Sequence, residues 1–128
     1  MFNYKKCYVR DDCENGFGNA LTVTFSSIQL AIYMGFKEIY LIGVDFSYPY
    51  FKDKWGRKHF TGEKESHFFG GDYKKDNNIC YLLKYTNENG FHHARNYCEG
   101  HGIIIKNLTR GGKLEIFERD TLENVLCL

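Results

Sequence analysis

Asp45 has the strongest claim to chemistry in this sequence. It follows an unbroken apolar, β-prone run from Ile39 to Ile42 and then Gly43, within the stretch Lys37 to Tyr48. Such a run reads as a buried parallel strand, Ile39–Gly43, whose chain then turns over the carboxyl edge of a sheet. Ligands of open α/β sheets bind at that edge. The competing role for a strand-end Asp is to cap the next turn or helix. A second short apolar run, Ile103-Ile104-Ile105, precedes Asn107-Leu108-Thr109-Arg110-Gly111-Gly112. If the two strands are parallel neighbours, Asp45, Asn107 and Thr109 converge at one edge. There they either hydrogen-bond a sugar or ribose, or satisfy their own loop backbones. Arg110 beside Gly111-Gly112 is an anion cradle or a tight turn, and it matches neither G-x-G-x-x-G nor the P-loop pattern.

His59 and His67, each followed by Phe, lie between Tyr48 and Lys75. A loop histidine held near a substrate hydroxyl can act as a general base near neutral pH. His59, His67 and Asp72 match no standard metal-ligand spacing. His92, His93 and His101 fall on a helical stretch and read as surface residues. No G-x-S-x-G nucleophile motif is present.

The elements that must position these residues follow the order α-β-loop-α-β-α. Residues 1–20 are polar and irregular. Thr22 or Thr24 caps a helix from about Phe25 to Met34, with Ile28, Leu30, Ala31 and Met34 as its apolar face and Gly35 at its end. The segment 48–75 has no clean period and is punctuated by Pro49, Gly56, Gly62, Gly70 and Gly71. Its many aromatic residues argue against disorder, and a loop of this length reads as a lid or binding loop. A helical region spans about Asn77 to Gly100, with a break expected near Asn87–Gly90 on propensity. Ala94, Tyr97 and Cys98 face the core. The stretch from Glu118 to Leu126 reads as a short amphipathic helix led by Asp120 and Thr121. Two strands are thin for a doubly wound domain.

The 128 residues fit one domain, and 17% aromatic content supplies packing material as well as faces for sugar or base recognition. A net charge of +1 without runs of one sign gives no basic face for nucleic acid. Lys52, Lys54, Arg57 and Lys58 cluster around Trp55. This is a solvated loop or, less favoured, a contact for an anionic ligand or a membrane surface. The five cysteines lack C-x-x-C spacing, which fits reduced thiols in a cytoplasmic protein. No apolar signal region or membrane-length run occurs.

Two segments together resemble a known family. Tyr33 to Phe46, ending in Gly43-Val44-Asp45-Phe46, resembles the helix–strand–Asp segment of the Campylobacter-type bacterial sialyltransferases, glycosyltransferase family 42. Ser66-His67-Phe68, Ala94 to Glu99 with Gly102-Ile103, and Asn107 to Phe117 are most similar to the related DUF115 group, which includes MptE-like diphosphokinases. The resemblance covers roughly residues 22–120. It implies an α/β, Rossmann-like three-layer fold with a mostly parallel sheet, and metal-independent transfer of a sugar from a nucleotide-activated donor to a glycan acceptor in bacterial surface glycan assembly. It further implies Asp45, Tyr48 and His67 as catalytic residues. Thr24, Tyr50, His59, Asn107, Thr109, Arg110 and Gly111 would contact substrate. No cofactor is expected; the MptE-like alternative would need Mg²⁺ and ATP. Gly70-Gly71 stands where the family base is found, so His67 would substitute for it. The family's Gly-x-Gly-Pro-Ser nucleotide loop is absent. The chain therefore reads as the C-terminal half of such a domain. Its expected partners are a missing N-terminal half or a second copy, with peripheral membrane association and no nucleic acid.

Overall fold

The computed structural model describes residues 8–48, 50–52, 54–60 and 77–127. It is a mixed α/β structure built on a small, all-parallel sheet. Helix α1 (Val23–Tyr33) leads into strand β1 (Glu38–Leu41), and α2 (Asn77–Gly100) leads into β4 (Ile104–Asn107). Between these two units lies a hairpin of β2 (Tyr50–Lys52) and β3 (Lys58–Phe60). Strand β5 (Glu118–Arg119) and the short helix α3 (Leu122–Val125) complete the order.

Both helix-to-strand junctions use the same device. Gly35 and Gly102 adopt left-handed φ angles of 84° and 65°. The following residue in each case reaches back five positions, Phe36 N–H to the Ala31 carbonyl and Ile103 N–H to the Cys98 carbonyl. This is the Schellman stop, which satisfies carbonyls at a helix end and reverses the chain. Two such units place β1 and β4 side by side and parallel, Glu38 opposite Ile104 and Leu41 opposite Asn107. β5 joins the far side of β4, giving the order β1-β4-β5.

The helix α1 starts two residues earlier than expected, with Thr22 as its cap; the Thr22 side chain accepts a hydrogen bond from Thr24 N–H. Its inward face is Phe25, Ile28, Gln29 and Ile32, whereas Leu30 and Met34 are exposed. The expected apolar face is therefore corrected by nearly one residue step, because Phe25 and Ile32 complete an i, i+3, i+7 stripe with Ile28. The expected break in α2 does not occur. Asn87, Gly90, Phe91, Ala94 and Cys98 form one buried stripe through the weak segment, so tertiary packing overrides propensity there. The core joins these residues to Ile39, Leu41, Ile105, Leu114 and Phe117.

Strand β1 ends at Leu41, short of the expected Gly43, and only alternate residues are buried. Ile39 and Leu41 face the helices. Glu38, Tyr40, Ile104 and Lys106 lie on the other face, half-buried or exposed. β4 likewise begins at Ile104 rather than Ile103. The expected helix from Glu118 is corrected as well: Glu118 and Arg119 pair with Lys106 and Asn107 as β5, and helix begins only after the Thr121 cap. The expected loop 48–75 contains the β2–β3 hairpin, with Tyr50 opposite Phe60 and Phe51 opposite His59. Residues 61–76 lie outside the described residues. Among the described residues, no helix is long and apolar enough to cross a membrane.

Candidate functional site at the strand ends

The two loops that follow β1 and β4 meet. Leu108 N–H donates to the Leu41 carbonyl (2.8 Å), and Lys113 N–H donates to the Asp45 carbonyl (2.7 Å). Val44 N–H donates to the Thr109 hydroxyl (3.0 Å). Gly112 (φ 72°) comes so close that a Cβ there would sit 2.9 Å from the Asp45 carbonyl oxygen. The juxtaposition of Asp45 with the 107–113 loop, expected from sequence, is thus present, because β1 and β4 are parallel neighbours.

The loop from Gly43 to Tyr48 is strained and anchored. Gly43 and Phe46 both adopt left-handed φ, 75° and 53°. For a bulky residue such as Phe46 this costs about 1–2 kcal/mol. Aromatic packing offsets that cost. The Phe46 ring meets Tyr48 edge-on at 5.2 Å and lies 5.8 Å from Phe91, which in turn packs on Phe117 at 5.7 Å. The strand-end loop is therefore tied to the core by a ladder of rings, each contact worth about 1 kcal/mol beyond burial.

Asp45 is held by its backbone while its carboxylate is exposed and makes no hydrogen bond to any described residue. It caps neither a turn nor a helix. Tyr48 is half-buried, and its phenol oxygen accepts a hydrogen bond from the Asn87 side-chain amide. That bond fixes the ring and polarises its O–H. Asn87 was missed by sequence reasoning. The available signal was its register, four residues before Phe91 in the buried stripe of α2.

Asn107 and Thr109 turn their polar groups inward. Asn107 is 1% exposed; its amide donates to the Leu114 carbonyl (2.9 Å), and its oxygen accepts Thr109 N–H (3.0 Å). Thr109, 7% exposed, is committed to Val44. These two side chains build the loop pair rather than face a ligand. Arg110 points outward to Glu123 (2.7 Å), which helps hold that carboxyl below its usual range, after the larger effect of Glu123's own backbone N–H. The cation inside the loop is Arg119. It donates to the carbonyls of Thr109 (3.1 Å), Gly111 (2.8 Å) and Gly112 (3.3 Å) and pairs with Glu115. An anion nest presents N–H groups, but this loop converges three carbonyls on its own guanidinium. Of the two readings of Arg110-Gly111-Gly112, anion cradle or tight turn, these contacts favour the turn. No spacing rule would have singled out Arg119.

Thr24 occupies the first turn of α1. Because α1 runs directly into β1 through a tight turn, its N-terminus lies toward the strand-end edge. Tyr50 and His59 belong to β2 and β3, and their placement is that of the strand backbone alone. His67 lies outside the described residues. His92, His93 and His101 are exposed, as expected, and the His101 ring stacks on Tyr97. No group of three or more metal-binding side chains occurs among the described residues. An open cleft of about 710 Å³ runs along the flank of β4, lined in part by Arg95, Glu99, Ile104 and Lys106. Its charges pair among themselves and with their neighbours, and Asp45 does not line it.

The class these features define is a small α/β domain with a candidate site at the carboxyl edge of a parallel sheet. No protein-family model, curated protein or solved structure matches the chain.

Proposed function

We propose that this chain is a glycosyltransferase-like α/β domain, Rossmann-like in its complete form, that transfers a sugar from a nucleotide-activated donor during bacterial surface glycan assembly. One observation carries the reading: the Asp45 carboxylate stands uncommitted on a strained, doubly anchored loop at the ligand-binding edge of the sheet. Backbone strain held in place by surrounding packing is concentrated at functional sites. The motif resemblance around Gly43–Phe46 and Asn107–Phe117 gives that edge its chemistry.

In this reading an acceptor hydroxyl attacks the anomeric carbon of the donor. The bond from that carbon to the phosphate oxygen breaks, and the nucleotide leaves with the bonding electron pair. The acceptor proton passes to a base, the role the resemblance gives to His67. Asp45 accepts hydrogen bonds from sugar hydroxyls and fixes the ring. The Tyr48 O–H, polarised by Asn87, donates to the departing phosphate. An oriented donor of this kind is worth about a hundredfold in rate.

The test is nucleotide-sugar hydrolysis or transfer in the presence of EDTA, comparing the chain with Asp45→Asn. Activity that persists in EDTA and falls about a hundredfold in the variant is the expected result. Equal activity in the two proteins would remove Asp45 from the site. Magnesium-dependent consumption of ATP would favour diphosphate transfer instead. A second reading draws on the sheet face opposite the helices: parallel sheets are normally covered on both faces, and the described residues cover one. In that reading another polypeptide segment completes the domain, and nucleotide binding appears only when it is supplied.

A further inference from the structure

We infer that the tip of the β2–β3 hairpin is an anchor for an anionic membrane surface. Trp55, the single tryptophan of the chain, sits at the turn and is 67% exposed. Its ring is flanked by two cations, the Lys54 ammonium at 4.1 Å and the Arg57 guanidinium at 4.8 Å from the centroid. Gly56 supplies the left-handed turn (φ 76°) that brings Lys54 and Arg57 to the same ring. Lys52 and Lys58 are backbone register partners in the strand pair below the turn. The segment 52–58 thus carries four basic residues against the single acid Asp53, in a chain whose net charge is only +1.

Each part of this arrangement has a use at a bilayer surface. Indole rings favour the headgroup level, where an apolar body and a polar N–H are both accommodated. Lysine and arginine beside such a ring meet the phosphates of anionic lipids, each gaining about fivefold in partition. Cation–π stacking holds both charges at the depth of the ring, so the group presents itself as a unit. A nucleic-acid surface would need a broader basic face than a chain of net charge +1 readily supplies. A small anionic ligand would need a walled pocket, whereas the Trp55 residue is 67% exposed. An anionic leaflet requires neither.

This inference is independent of the proposed transfer reaction. The two are linked only by position, since β2 begins two residues after Tyr48 and the anchor would hold the strand-end site near the surface. Vesicle binding and sugar transfer are separate measurements, and either can fail alone.

The sole tryptophan makes the test direct. The full chain is titrated with phosphatidylcholine–phosphatidylglycerol vesicles and with phosphatidylcholine vesicles while indole emission is followed. The expected result is a blue shift and protection from an aqueous quencher with the anionic vesicles alone, weakened by added salt. Trp55→Ala, followed by co-sedimentation, and the double variant Lys54→Glu/Arg57→Glu should each lower partition about tenfold or more. All three positions are exposed, and circular dichroism confirms folding; the double variant keeps the indole reporter. No shift with anionic vesicles, an equal shift with neutral ones, or unchanged binding by the double variant would overturn the inference. A larger shift with a single-stranded oligonucleotide than with vesicles would overturn it in favour of nucleic acid.

Discussion

Gln29 is a fully buried amide, 0% exposed, and it organises the chain from Arg10 to Gly18. Its oxygen accepts the N–H groups of Arg10 (3.0 Å) and Gly18 (2.7 Å), and its nitrogen donates to the Gly18 carbonyl (3.0 Å). A segment that reads as irregular loop is thereby paired to α1 as a strand would be paired to its neighbour. Gln29→Leu keeps the volume but leaves three backbone groups without partners, two of them on buried Gly18. We expect a loss of about 3 kcal/mol or more in urea-unfolding stability, together with faster proteolysis within residues 8–20. An unchanged unfolding midpoint would show that the segment contributes nothing to the fold. At this scale the sequence is legible only where position implies role. Asp45 stands out because it follows a strand and a glycine. Gln29 and Arg119 do not, since their work depends on which backbone groups the tertiary fold brings to them. Asn107 and Thr109 were correctly placed, yet position could not tell that their polar atoms would be consumed inside the loop.

Helix α2 carries its strongest constraint where its intrinsic helix preference is weakest. A Cβ on Gly90 would lie 2.3 Å from the Ala20 Cβ and 3.4 Å from the Phe25 ring. Gly→Ala inside a helix ordinarily gains about 1 kcal/mol. Here the sign should reverse, with Gly90→Ala lowering Tm and the double variant Gly90→Ala/Ala20→Gly recovering much of the loss. A rise in Tm for the single variant would mean that the α2 contact with the N-terminal segment is looser than described. The junction of β4 with α3 has a pH signature. Lys106 Nζ lies 2.8 Å from Asp120, and together with Asn124 and Thr121 N–H it lowers the Asp120 carboxyl to about 2. A carboxyl whose folded pKa is depressed stabilises the fold above its unfolded pKa of about 4 and loses that effect as pH falls toward 2. The stability difference between the chain and Asp120→Asn should therefore be constant above about pH 5 and vanish between about pH 4 and pH 2. A difference independent of pH would assign the effect to the hydrogen bonds of α3 alone. Helix–glycine–strand junctions were legible because Gly35 and Gly102 carry the stop signal locally. The continuity of α2 and the two residues of β5 were not, because both depend on partners far along the chain.

Among the described residues, the sheet has one covered side. The helices bury Ile39, Leu41 and Ile105, while Ile104, 46% exposed, and Tyr40 lie on the opposite face. Parallel pairing of β1 with β4 joins residues more than sixty positions apart, so the sheet and its helical layer should form and open together. Cys98 reports on that unit. It is completely buried between α2 and the sheet, and burial pushes its thiol up to about 11, with Glu99 adding to the effect. At pH 8 its thiolate fraction in the native state is on the order of one in a thousand, and its side chain presents no surface to solvent. Cys127 is exposed. With a thiol reagent and peptide mass analysis, Cys127 should label at once. Cys98 should label only through opening, with a free energy equal to that of global unfolding. Gln29→Leu should speed Cys98 labelling by the factor by which it lowers global stability, about a hundredfold for 3 kcal/mol. Cys98 labelling that is insensitive to Gln29→Leu would mean that the α2–sheet unit opens without the N-terminal segment, and that the single core is two.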